Sequence, residues 1–154
     1  MLGRTYDSEV CSIARSLEVI GERWTLLIIR NALFADVTRF GDFQRRLGIA
    51  TNVLTARLDG LVAAGVMERS HTASSAEYLL TEKGRDLSGV LVALTDWGDR
   101  WAAPDGPPII YRHGACEGAV HSGLTCDRCG ARPDAVTASP GPGMPEERWM
   151  SGRQ

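Results

Sequence analysis

The chain has 154 residues, 44% of them hydrophobic and 23% charged, the balance of an ordinary globular protein of one domain or one domain with an appendage. No apolar run approaches the ~20 residues that span a bilayer, and the N-terminal MLGRTYDSEV is neither basic nor followed by a signal-type apolar stretch, so the chain reads as cytoplasmic. A formal net charge of −2 gives no overall pull toward nucleic acid. Any such binding must come from a local patch, and residues 39–69 offer a weak one: five arginines against Asp42, Asp59 and Glu68.

Hydrophobic periodicity predicts helices over residues 12–20, 22–34, 40–47, 51–64 and 82–101, with strands over 66–71 and 77–80 flanking a hairpin at TASSA. Cys11 lies just ahead of the first helix, where partial positive charge favours thiolate over thiol. It is a candidate redox residue, against the plainer reading of a small buried hydrophobe. The short helix FGDFQRRL ends at Gly48, a residue suited to the tight turn between two crossed helices. The next helix places Leu54, Leu58 and Leu61 on one stripe, and Gly65 is its expected terminator. Helix, turn, helix, hairpin is the layout of a winged helix, whose second helix enters the DNA major groove.

The outer face of that second helix carries Thr51, Asn52, Thr55, Ala56 and Asp59, with Arg57 on the flank. Glu and Lys would be the ordinary choice there; short hydrogen-bonding side chains and a bare methyl suit close approach instead. Asn52 can pair with an adenine edge, Thr51 and Thr55 can meet bases or phosphates, and Ala56 can lie on a thymine methyl. Arg45, Arg46 and Arg57 are placed to hold phosphates. Arg39 and Ala50, at the starts of the two helices, and His71 on the wing complete the candidate DNA-binding set. The plain alternative is a small helical domain whose polar face is simply wet.

Within 82–101, Leu87, Val90, Leu94, Trp97 and Trp101 recur at intervals of 3, 4, 3 and 4, an a/d seam that needs either the domain's own first helices or a second copy. Two recognition helices one DNA turn apart require a dimer, which favours the second copy. Thr81 is the expected N-cap ahead of this helix.

Composition changes near Ala103, which divides the chain into a winged-helix and dimerisation domain (1–103), a Cys/His extension (104–143) and a polar tail (144–154). The fold class expected is mainly α with a small β-hairpin wing, plus a Cys-rich β-ribbon. In the extension, His113-x2-Cys116 precedes Cys126-x2-Cys129 and Gly130, two ligand pairs that together make a tetrahedral set for structural Zn²⁺. His121 is an alternative fourth ligand, and reduced, incidental thiols are the plain reading. A thioredoxin-like redox pair is disfavoured, since the strand-then-helix context is absent.

The blocks CSIARSLEVIGERWTLLIIRNAL, RFGDFQRRLGIATNVLTARLDGLVAAGVMER, EYLLTEKGRDL and LTDWGDRW resemble, in unbroken order from Cys11 to Trp101, those of the HxlR-type winged-helix regulators, relatives of the MarR type. The resemblance implies a homodimeric bacterial transcription factor on the nucleoid, most often a repressor, binding a roughly palindromic operator. Several such relatives sense oxidants or electrophiles through a cysteine matching Cys11. Two departures stand out. Ala50 occupies the capping position usually held by Ser or Thr, with Thr51 as a substitute, and the short wing SHTASSAEY has only His71 as a basic residue. Specificity then rests on the recognition helix rather than on a wing arginine in the minor groove.

No nucleophile–base pair, phosphate-binding glycine loop or paired carboxylate stands out, so an enzyme is not expected. The alternative function is a dimeric protein-interaction adaptor that docks through the zinc ribbon. A small-molecule effector enclosed by Trp24, Trp97, Trp101 and Tyr111 is a third reading, with core packing the plainer use of those rings.

Overall fold

The computed structural model describes residues 11–71 and 76–145. Its elements are α1 (Ser12–Ile20), α2 (Arg23–Phe34), α3 (Phe40–Leu47), α4 (Thr51–Ala63), β1 (Met67–His71), β2 (Ala76–Leu80), α5 (Glu82–Arg85) and α6 (Ser88–Trp101). The described residues form two compact units, one within Val19–Ser122 and one that joins residues 11–18 with residues 123–145. No described helix is long and apolar enough to cross a membrane.

The unit Val19–Ser122 is a winged helix, mainly α with one hairpin. Its core forms because α4 turns Leu54, Leu58 and Leu61 inward, where they pack with Ile28 and Ile29 of α2, Phe43 of α3 and Met67 of β1. Truncating any one of these leucines to Ala costs about 2–5 kcal/mol, since the residue loses its burial and leaves a cavity. Gly48 ends α3 in the left-handed region (φ 61°) and its N–H bonds the Gln44 carbonyl at 2.9 Å. An L side chain there would be strained, so this glycine fixes the turn that sets α4 across α3.

The strands are antiparallel and pair from Met67 with Leu80 to His71 with Ala76. The wing is also anchored at its root: the Tyr78 N–H donates to the Thr38 carbonyl at 2.8 Å, and Arg39 bridges to Glu77. Buried Tyr78 therefore ties β2 to the start of α3, and the Arg69 guanidinium lies 5.6 Å from its ring centroid.

The single helix expected over 82–101 is two. Thr81 caps as expected, accepting the Gly84 N–H at 3.2 Å while donating to the Gly65 carbonyl at 2.7 Å. Lys83 Nζ reaches the Ala64 carbonyl at 2.7 Å. Gly84 is buried so closely that a Cβ there would stand 2.3 Å from the Val66 carbonyl oxygen. This turn is bound to the strand entrance, and α6 begins afresh after Leu87. Helical periodicity alone cannot register that restraint, because its partners, Ala64 to Val66, lie in the turn between α4 and β1.

Where a Cys-rich β-ribbon is expected, the described chain has one isolated bridge, Arg112 to Ala119, and otherwise turns. Each turn closes on its own backbone: His113 N–H to the Gly118 carbonyl at 2.9 Å in one, and Cys126 N–H to the Ala131 carbonyl at 2.9 Å in the other. These short local closures leave little chain to extend into paired strands.

Candidate nucleic-acid interface

Thr51, Asn52, Thr55 and Ala56 are all exposed on the face of α4 opposite its leucine stripe. Their hydrogen-bonding capacity is unequally committed. The Thr55 hydroxyl donates to the Thr51 carbonyl at 2.9 Å, one turn back. The Thr51 hydroxyl accepts from Gln44 Nε2 at 2.7 Å, which locks α3 to the first turn of α4. It does not cap the helix. Ala50 holds the N-cap position and makes no side-chain capping bond, so the first backbone N–H groups of α4 stay open. Such a terminus favours a phosphate oxygen. No hydrogen bond among the described residues engages the Asn52 side chain, and its amide is the one with both donor and acceptor to spare.

The candidate arginines are placed differently from one another. Arg39, at the start of α3, pairs with Glu77 of the wing at 3.3 Å. Arg45 is exposed and pairs with Asp42 on its own helix. Arg57 turns toward α2, its Nη2 3.2 Å from Glu22, and its Nε is buried without a partner. It is the member of the set least open to a phosphate. Arg46 is exposed and lines a cleft shared with Arg30 and Arg112. His71 closes β1, but its side chain lies outside the described residues.

One basic residue was missed. Arg69 shares a cleft of about 460 Å³ with Arg39 and Arg45, between the start of α3 and the wing. The sequence counts it among five local arginines, but its placement depends on the pairing of Arg69 with Tyr78 across the hairpin.

The candidate metal ligands form two pairs. His113 Nδ1 and Cys116 Sγ are 3.2 Å apart within one turn. Cys126 sits in the Cys126–Gly130 turn, where the backbone N–H groups of Cys129 and Arg128, followed by the Cys129 side chain, hold its thiol below the usual range. That is the environment a thiolate ligand requires. Among the described residues no three His, Cys, Asp or Glu side chains gather as a metal site. His121 is committed elsewhere: its Nδ1 lies 3.0 Å from Asp96, whose other oxygen accepts from the backbone and hydroxyl of Ser122. These bonds, the one with His121 first, hold the Asp96 carboxyl down at about 2. Cys11 is exposed and unbridged at the start of α1.

The HxlR-like helix-turn-helix family matches residues 19–106, more than half the chain, including α2 to α6 and the hairpin. This chain belongs to that family. An uncharacterized HTH-type transcriptional regulator of Mycobacterium tuberculosis is 46% identical over 149 residues, 93% of this chain and 92% of that one. The crystal structure of PA1607, a putative transcription factor, superposes with a TM-score of 0.77 at 39% identity, covering 85% of this chain and 95% of its own. The redox regulator HypR in its oxidized form is similar over 58% of this chain and 96% of its own, at 31% identity and a TM-score of 0.51. As an HxlR-like protein the chain is a transcriptional regulator with a DNA-binding helix-turn-helix, and its relatives are regulators rather than enzymes. Two of these likenesses cover too much of the chain to end at residue 106 and reach into the part that follows the family match.

Proposed function

We propose that this regulator is a homodimeric repressor that reads a roughly palindromic operator, with one α4 in the major groove of each half-site. The observation that carries the reading is the outer face of α4: exposed, built of short side chains, and presenting an Asn52 amide that nothing among the described residues engages. Arg45, Arg46, Arg39 and Arg69 then hold phosphates around it, and Asn52 reads an adenine. The second copy is argued from α6, where Val90, Leu94, Trp97 and Trp101 stand in solvent, both tryptophans 65% exposed. Two exposed indoles on one helix are costly unless covered. The work is cytoplasmic, on chromosomal DNA.

The extension is proposed to hold one structural Zn²⁺ through His113, Cys116, Cys126 and Cys129. Tetrahedral zinc with Zn–N and Zn–S bonds of ordinary length sets its N and S ligands about 3.5 Å apart. The 3.2 Å between His113 and Cys116 is close to that edge, and the Cys126 turn favours thiolate. His113 is preferred to His121, which Asp96 occupies. Zinc would supply cross-linking where the chain has little core. Cys11 is proposed as the site of an oxidant signal. Its thiol is exposed ahead of α1, and the chain is similar to a redox regulator.

The test is fluorescence anisotropy on labelled DNA from upstream of the protein's own gene, across a salt series, with an unrelated duplex as control. Binding far tighter to the native fragment, with both affinities falling steeply with salt, supports the reading. Equal, weak binding to both duplexes favours an adaptor. Metal analysis of the same preparation should find one zinc per chain. Unchanged affinity after oxidation of the dimer would remove the role given to Cys11.

A further inference from the structure

We propose that the cleft between α2, the last turn of α3 and residues 109–112 is a binding site for a flat aromatic monocarboxylate. The cleft has a volume of about 570 Å³, within the range of small-molecule sites. Three of its walls carry guanidinium groups, Arg30 from α2, Arg46 from α3 and Arg112 from the extension, and no Asp or Glu lines it. Arg112 donates one N–H to the Glu117 carbonyl at 2.7 Å, a neutral acceptor that leaves its charge uncompensated. Neither Arg30 nor Arg46 has an acidic partner among the described residues. Three cations around one cleft repel one another, and a carboxylate entering between them relieves that repulsion while taking paired N–H donors.

The rest of the lining says what the anion is attached to. The Phe34 and Tyr111 rings stack at 4.3 Å between centroids with a tilt of 36°, and Ile109 and Ile110 stand beside them, each more than half exposed. Phosphate, free or in DNA, gains nothing from such a surface. A planar apolar body gains from covering it, and aromatic rings prefer the offset or tilted contact that this pair offers. Charge on one side and open rings on the other select an amphiphilic organic anion. The residues are far apart in sequence and meet only because residues 109–112 return to α2. Apart from Arg46, which is also among the proposed phosphate contacts, the lining takes no part in DNA reading, and the test needs no DNA.

The experiment is isothermal titration of the full chain with 1-naphthoate, with 1-naphthalenemethanol as the neutral counterpart and inorganic phosphate as competitor. The expected result is one saturable site per chain, at least tenfold tighter for the carboxylate than for the alcohol, with phosphate at equal concentration displacing little of it. Arg30→Gln and Arg112→Gln should each weaken naphthoate at least fivefold, Tyr111→Leu should weaken naphthoate and the alcohol alike, and Arg23→Gln should change nothing. Absence of saturable heat, equal affinity for the alcohol, displacement by equimolar phosphate, or unchanged binding in folded Arg30→Gln and Arg112→Gln variants would each overturn the proposal.

Discussion

Arg57 on the recognition helix reaches back to Glu22 at the start of α2, Nη2 to Oε2 at 3.2 Å, so the one arginine on α4 spends its charge inside the domain. Glu22 sits at the N-cap of α2 and makes no side-chain capping bond there. Because Glu22 is largely exposed, Glu22→Gln should cost less than about 1 kcal/mol in urea denaturation. Arg57→Gln should leave the slope of log affinity against log salt unchanged. A phosphate-contacting arginine would lower that slope by about 1, and such a drop would return Arg57 to the DNA contacts.

Asn52→Ala removes the free amide of the α4 face while leaving the leucine stripe untouched. Stability should stay within about 0.5 kcal/mol of the parent, as for an exposed helix position. Operator affinity should fall by about 1–3 kcal/mol, with the loss confined to one base-pair position per half-site and the unrelated duplex unaffected. A uniform loss on every sequence would instead make Asn52 a backbone contact.

Gly84 tests the joint between α5 and the sheet. A methyl at this position meets the Val66 carbonyl oxygen at 2.3 Å and Leu80 Cδ2 at 2.8 Å, and the first of these is backbone that cannot step aside. Gly84→Ala should therefore lower stability by about 1–3 kcal/mol or more, although alanine is the better helix former. Gly89→Ala, in α6 with open space around its Cα, should be neutral or stabilising in the same thermal melt.

Such positions mark what could be read from the sequence. The α4 stripe of Leu54, Leu58 and Leu61 was legible because burial there follows the helical period, and Gly48 because a left-handed turn demands glycine. The split at Leu87 was not, since it depends on Gly84 meeting Val66 across the fold. The same holds for side-chain partners. Arg57 looks like a flank residue for DNA until Glu22 is brought beside it, and Arg69 looks ordinary until the hairpin register sets it against Tyr78. Within the extension the spacing of the cysteines and His113 was plain, but which histidine is occupied by Asp96 was decided by tertiary contact.

Asp96 links α6 to residues 121 and 122, and its carboxyl titrates at about 2 instead of 3.8. A depressed carboxylate contributes stability that is fully present above its unfolded value and lost as pH falls through its folded one. The attachment of Ser122 should therefore hold at pH 5 and weaken between about pH 4 and 2. Limited acid proteolysis followed by mass spectrometry should show cleavage near residue 122 rising over that window. In Asp96→Asn the same cleavage should be present already at pH 5, with little further change on acidification.

The apolar stripe of α6 separates the two ways of satisfying the seam. Leu91 and Val92 are buried in the domain's own core, while Val90, Leu94, Trp97 and Trp101 remain exposed on the other side of the helix. A substitution on the exposed side should thus change association without unfolding the domain. Trp97→Glu should shift the mass from dimer to monomer in light scattering, keep the helical circular dichroism, and reduce operator affinity by at least tenfold, because a single α4 reads only half a site. If Trp97→Glu remains dimeric, or if the parent protein is a monomer at micromolar concentration, the α6 interface is wrong.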